Sequence, residues 1–225
     1  VGPEDGSVFR IVPRRPIEAL RREARAATPP VQRAGLLRPD LVELTALDSS
    51  IHLDIRYATA GNFMGAQLYS AARAFLQRPA AEALVRVHRA LARQGYGILI
   101  HDGYRPWYVT KMFWDATPAA QHIFVANPAR GSRHNRGASV DLSLYDLATG
   151  RPIEVVSGYD EFSPRAYRDY PGGTALQRWH RDLLRDAMEA VGFRSVVEEW
   201  WHFDWRDWAR YPVLNEPFEQ IGVRR

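Results

Sequence analysis

An α+β fold in a single domain is what this chain predicts, on three observations. Runs of alternating apolar and polar residues are few and short, helical periodicity appears in only a few stretches, and the two kinds are unevenly spaced. Long irregular stretches, Met112 to Arg133 and Tyr145 to Gly173, separate them, unlike a regularly alternating parallel sheet. At 225 residues with 46% hydrophobic content, the chain can bury one sizeable core.

Taken in order, residues 1 to about 40 carry Pro3, Pro13, Pro16, Pro29, Pro30 and Pro39 around one charged helical stretch, Ile17 to Ala27. They read as a Pro/Arg-rich arm before a domain at 41–225. Alternation then predicts two half-buried strands, Leu41 to Leu47 and Ile51 to Tyr57. Pro79 fits a helix's first turn, Leu84, Val87 and Leu91 share a face, and Gly95 stands where that helix stops. "YGILIHDGYRP" reads as a buried strand ending in a turn. Thr174 with Gln177 forms a capping box for a helix whose face is expected to be Leu176, Trp179, Leu183 and Ala187, stopped by Gly192. "FRSVVEEWWHFDW" is expected to be the last strand.

Composition removes whole function classes. There is no cysteine, so disulfides, thiolate metal sites and cysteine nucleophiles are excluded, and any metal must be held by His, Asp or Glu. Lys and Arg number 30 against 26 Asp and Glu, interleaved, and Lys111 is the only lysine. That pattern describes an Arg-rich solvated surface rather than a nucleic-acid patch. No apolar run approaches the ~18–20 residues of a membrane span. The sequence opens at Val1 without a methionine or a signal-like stretch. That start fits a processed and a truncated form alike; an exported protein of the cell envelope or periplasm with its signal removed is the expectation, a cytoplasmic one the alternative.

Two clusters carry chemistry: "SRHNRGASVDLSL" at 132–144 and "EEWWHFDW" at 198–205. Each puts ionisable groups inside an apolar, strand-like run, where burial is costly unless the groups are paired or bind metal. Singly, His134 could be a loop histidine, Asp141 a turn cap and His202 a core histidine beside Trp200 and Trp201. Together, two imidazoles and one carboxylate suit a divalent ion with a fourth position open, and zinc fits that set best. Glu199, three residues before His202, is the natural general base, and Glu198 is its competitor. Period two would send Glu199 and His202 to opposite faces of a strand, so a bulge or a strand end is expected there. Arg105, following a strand, can face a developing oxyanion, with Asp102 to orient it.

These residues resemble the D-alanyl-D-alanine dipeptidases of vancomycin resistance and peptidoglycan turnover, among the zinc D,D-peptidases that share a fold with hedgehog signalling domains. The resemblance runs from about 41 to 211. "SRHNRGASVDL" matches the family's Ser-x-His and its His-to-Asp spacing, and "EWWH" its Glu-Trp-Trp-His. It implies a small, mainly antiparallel central sheet flanked by helices. It also implies one zinc per chain on His134, Asp141 and His202, Glu199 as base, and Arg105 as the transition-state cation. Tyr57, Ser132 and Asp160 would meet a small D,D-dipeptide, with Asp160 facing its free ammonium; alone, Asp160 also reads as a turn residue in a Gly-containing loop. Met64 stands where the family leads one to expect threonine, and the segment from Trp107 to Arg133, with Trp114 and His122, is expected to reshape the pocket. His52, His88, His101, His122 and His180 are read as core or surface residues. Two rivals remain open: a carboxypeptidase or endopeptidase on peptidoglycan stem peptides, and a zinc-containing binding module without catalysis.

Overall fold

The computed structural model describes residues 10–221, so Pro3 and the last residues, 222–225, lie outside the described residues. In chain order the elements are α1 (Ile17–Ala26), β1 (Leu41–Glu43), α2 (Leu44–Leu47), β2 (His52–Leu53), β3 (Phe75–Gln77), α3 (Arg78–Ala92), β4 (Tyr96–Asp102), α4 (Trp107–Ala116), β5 (Ser139–Asp146), α5 (Ala175–Glu189), β6 (Phe193–Ser195) and β7 (His202–Trp205). Five strands form the central sheet in the order β2-β4-β5-β7-β6. Only β2 and β4 run parallel; the other pairs are antiparallel, as expected. Among the described residues, no helix is long and apolar enough to cross a membrane.

The core forms where apolar runs are continuous. Strand β4 is buried from Gly97 onward and β5 nearly throughout, so neither shows a solvent face. Helix α3 packs against β4 and α5, burying Leu84, Val87 and Leu91, and Gly95 follows it at φ 87°.

One irregularity positions the site. Between β4 and β5 the register shifts at His101: Ile100 pairs with Leu142, but Asp102 pairs with Asp141. Asp141 in turn pairs with His202 on β7. The bulge thus sets Asp102, Asp141 and His202 in one row across three strands.

Five expectations are corrected. Leu41 to Leu47 is a three-residue strand followed at once by α2, whose Leu44 is fully buried, and the Ile51 to Tyr57 strand shrinks to β2. The last strand is a hairpin, β6 and β7, because the chain turns back between Val196 and Trp201. Helix α5 has its capping box but is rolled about one position: Leu176 and Trp179 are 61% and 48% exposed, while His180, Arg181, Leu184 and Met188 are buried. The buried polar pair finds partners inside the fold, His180 Nε2 lying 3.2 Å from the Tyr96 hydroxyl and Arg181 donating to the Tyr170 carbonyl at 2.8 Å. The charged helix of the arm forms as α1 but docks on α4, burying Leu20 and Ala24, with the Arg25 guanidinium 4.5 Å over the Tyr108 ring.

Candidate active site

The site begins with a turn. Residues His134–Arg136 form a 3-10 turn that Gly137 ends at φ 61°, a left-handed backbone that glycine adopts without steric cost and where a Cβ would press on the Leu41 side chain, so the chain enters β5 at that angle. Ser132 caps this turn, its Oγ accepting the His134 N–H at 3.2 Å. Buried Asn135 fastens it to the preceding loop by donating to the Arg105 carbonyl and to the Thr110 hydroxyl, each at 2.8 Å. Glu199 lies in the turn leading into β7, and the His202 N–H bonds back to its carbonyl at 3.2 Å. The strand end required by the spacing is therefore present, and it lets Glu199 share a side with His202.

His134, Asp141 and His202 are buried and converge. Asp141 Oδ1 lies 2.9 Å from His202 Nδ1 and 3.3 Å from His134 Nε2, and the two ring nitrogens are 3.1 Å apart. The far nitrogen of each ring fixes its tautomer. His134 Nδ1 sits 2.7 Å from the Gly103 carbonyl and His202 Nε2 sits 3.0 Å from Asp204 Oδ1, both acceptors that call for an N–H. In neutral rings the opposite nitrogens then present lone pairs to the same point as an anionic oxygen. Three acceptors around one point fit a divalent cation, and the donor set fits zinc.

Electrostatics agree with that fit. Burial alone would raise Asp141, but His134 and His202 outweigh it and hold this carboxyl far below the usual carboxylate range. Burial would lower His202, yet Asp204 and Asp141 push it well above an ordinary imidazole. A second proton on His202 Nδ1 would occupy the lone pair that a cation needs, so the two would compete there. Glu199 is pushed up to about 7, chiefly by burial; its Oε2 lies 3.7 Å from His202 Nδ1.

Arg105 is buried and held by Asp102, whose Oδ2 accepts from its Nε at 2.9 Å and its Nη2 at 2.6 Å. Tyr69 and the Gly103 N–H occupy the other oxygen of Asp102, so the carboxylate cannot turn away. The guanidinium stacks 4.7 Å over Phe113 and 5.4 Å over Tyr57. At the opposite end, the Tyr57 hydroxyl meets both oxygens of Asp160, at 3.0 and 2.8 Å. Asp160 is the only non-glycine described residue with positive φ, 60°, and it is buried. A turn aspartate tolerates that backbone, but a buried one aimed into a cavity is held there by its surroundings. Burial raises its pKa well above the ordinary value.

Of the residues expected at the site, Tyr57, Arg105, Ser132, His134, Asp141, Asp160, Glu199 and His202 line one cavity of about 80 Å³, together with Phe63, Phe113, Phe124, Phe162 and Trp201, and Asp102 stands behind it. The segment from Trp107 to Arg133 does shape it: α4 supplies Phe113, and the loop after it supplies Phe124, stacked 4.8 Å from Phe162. Trp114 and His122 stack on each other outside the cavity and brace that loop. Met64 is buried and absent from the lining, so it reaches the pocket only through the core.

Sequence reading missed three supporting residues. Asp204 orients His202; it stands two residues on, in the same motif. Asn135 sits inside "SRHN". Tyr159 donates to Asp141 Oδ2 at 3.1 Å, and its neighbour Asp160 was the only signal for it.

The family model described as D-ala-D-ala dipeptidase, Peptidase_M15, matches residues 38–223. The D-alanyl-D-alanine dipeptidase of Escherichia coli (strain K12) is 32% identical over 179 residues, covering 80% of this chain and 91% of that protein. The D-alanyl-D-alanine dipeptidase of Streptomyces coelicolor is 36% identical over 185 residues, covering 73% and 90%. The solved structure of the LdcB LD-carboxypeptidase superposes with a TM-score of 0.41 at 18% identity, over 80% of this chain and 72% of that one. On the family model's match and these relatives, this chain belongs to the D-Ala-D-Ala dipeptidase family of peptidases.

Proposed function

We propose that the protein hydrolyses D-alanyl-D-alanine, or a close D,D-dipeptide, with one zinc ion held by His134 Nε2, His202 Nδ1 and Asp141. The observation that carries this reading is the meeting of three metal-type acceptors, a half-buried glutamate and a buried aspartate that only a tyrosine hydroxyl meets, in one small cavity. When bound, zinc acidifies a water molecule and polarises a carbonyl. Glu199 takes the attacking water's proton and returns it to the leaving amine, a task suited to a carboxylate pushed up to about 7. Arg105, fixed by Asp102, faces the oxyanion that develops on the scissile carbonyl. Asp160, oriented by Tyr57, receives the dipeptide's ammonium. Ser132 lies on the leaving-residue side beside His134. A role in peptidoglycan turnover or glycopeptide resistance at the cell envelope goes with this reading, supported by the family alone.

The test is release of free D-alanine from D-Ala-D-Ala by zinc-loaded protein, with metal content measured in parallel. Turnover that tracks zinc up to one ion per chain is expected. Turnover untouched by chelation that has stripped the metal would overturn the zinc assignment; no turnover at full zinc loading would overturn the substrate.

A further inference from the structure

The small cavity has an open neighbour. Phe124, Val125, Ala126, Ser132, Glu199 and His202 line both it and an outer groove of about 470 Å³, so the two adjoin at His202 and Glu199. Asp160, Tyr57 and Arg105 belong only to the inner end. If the ammonium sits at Asp160, the groove lies on the side of the dipeptide's C-terminal residue, and it offers far more room than an alanine methyl fills.

Its charge is lopsided. Arg130, Arg133 and Arg136 line it against Glu198 and the Glu199 already assigned to chemistry. Two of the arginines are pre-organised about one ring: Arg133 lies 4.8 Å and Arg136 5.7 Å from the Trp208 centroid. Arg133 is also tied to Asp204 at 2.8 Å, and Arg136 to the Tyr211 carbonyl. Arg130 is exposed and, among the described residues, makes no ion pair. Burial and the nearby Arg33 make the Arg136 charge costly, a cost an incoming anion offsets.

We propose that this groove is a subsite for an acidic side chain, so that dipeptides ending in an acidic D-residue are substrates of the same site. The inference rests on the dipeptidase reading above. The substrate's own α-carboxylate is common to every dipeptide and so does not decide between them; the side chain beyond it does.

The zinc-loaded protein is assayed on D-Ala-D-Glu, D-Ala-D-Gln and D-Ala-D-Ala, the first two differing in charge at nearly constant shape. A preference in kcat/KM of about fivefold for D-Glu over D-Gln is expected, as partly exposed ion pairs supply. It should reside mainly in KM and shrink in 0.5 M salt, where the screening length is only about 4 Å. Arg130→Glu should abolish the preference while leaving D-Ala-D-Gln turnover within about twofold, and Arg136→Gln should reduce it. Cleavage of D-Ala-D-Ala with D-Glu and D-Gln treated alike, or a preference unchanged in both variants, overturns this subsite alone. Failure to cleave any of the three overturns the dipeptidase reading beneath it.

Discussion

Asp141 and Asp160 are buried carboxyls on the walls of one cavity, yet their surroundings push them in opposite directions. Asp141 is drawn down because two imidazoles face it, and strand register fixes it opposite His202. Asp160 is pushed up because burial dominates; it stands on a loop, in a left-handed backbone, with only a tyrosine hydroxyl to satisfy its oxygens. The difference teaches what each lacks. On the proposed reading, Asp141 sits among groups that together suit a divalent cation, whereas Asp160, met by the Tyr57 hydroxyl, would be matched by the single positive charge of a substrate ammonium.

Substitution should separate the two most sharply. Asp141→Asn should cost the protein its zinc and all detectable turnover, while Asp160→Asn should keep a full complement of zinc. Metal analysis of the purified variants checks this, and equal zinc loss in both would erase the distinction.

Next in size, Glu199→Gln should retain zinc and lose roughly 10²–10⁴-fold in kcat, the usual worth of a general acid–base group. Glu198→Ala should be mild, since Glu198 lines only the outer groove. Reversed phenotypes would mean that the wrong glutamate has been assigned.

A smaller effect is expected from Tyr159→Phe. Its hydroxyl occupies Asp141 Oδ2 and leaves Oδ1 to face the imidazoles, so removal should weaken zinc by about tenfold in chelator competition, as loss of an outer partner does. The pH dependence has a definite sign. Proton and metal compete for His202 Nδ1, whose pKa is raised, so zinc affinity is full above that pKa and falls by about tenfold per unit below it. An affinity flat across that range would contradict the tautomer assignment.

The legible parts of the molecule are those where chemistry and periodicity coincide. His134, Asp141 and His202 could be read because each interrupts an apolar run with a group too costly to bury idle, and α3 could be read because Leu84, Val87 and Leu91 keep one period. The resemblance then supplied Tyr57, Ser132 and Asp160. The rest depended on tertiary context. Leu41 to Leu47 alternates like a strand, but pairing with β3 ends at Glu43 and the chain turns helical to bury Leu44. Leu176 and Trp179 mark an apolar stripe on α5, yet His180 and Arg181 find internal partners and take the core position instead. Tyr159 had no signal beyond its neighbour Asp160, because a tyrosine's use depends on what its hydroxyl meets across the fold.

The claim on which the rest depends is that Asp160 closes the cavity around a free ammonium. It is tested most directly by comparing kcat/KM for D-Ala-D-Ala and N-acetyl-D-Ala-D-Ala on the wild-type protein and on Asp160→Asn. Acetylation removes the charge, adds bulk at the closed end and leaves Asp160 without a partner. The wild type should therefore cleave the free dipeptide faster by at least about 100-fold, and Asp160→Asn should narrow that gap mainly by raising KM for the free dipeptide. Equal cleavage of free and acetylated dipeptide by the wild type would show an open pocket, make Asp160 a turn residue only, and favour a carboxypeptidase instead.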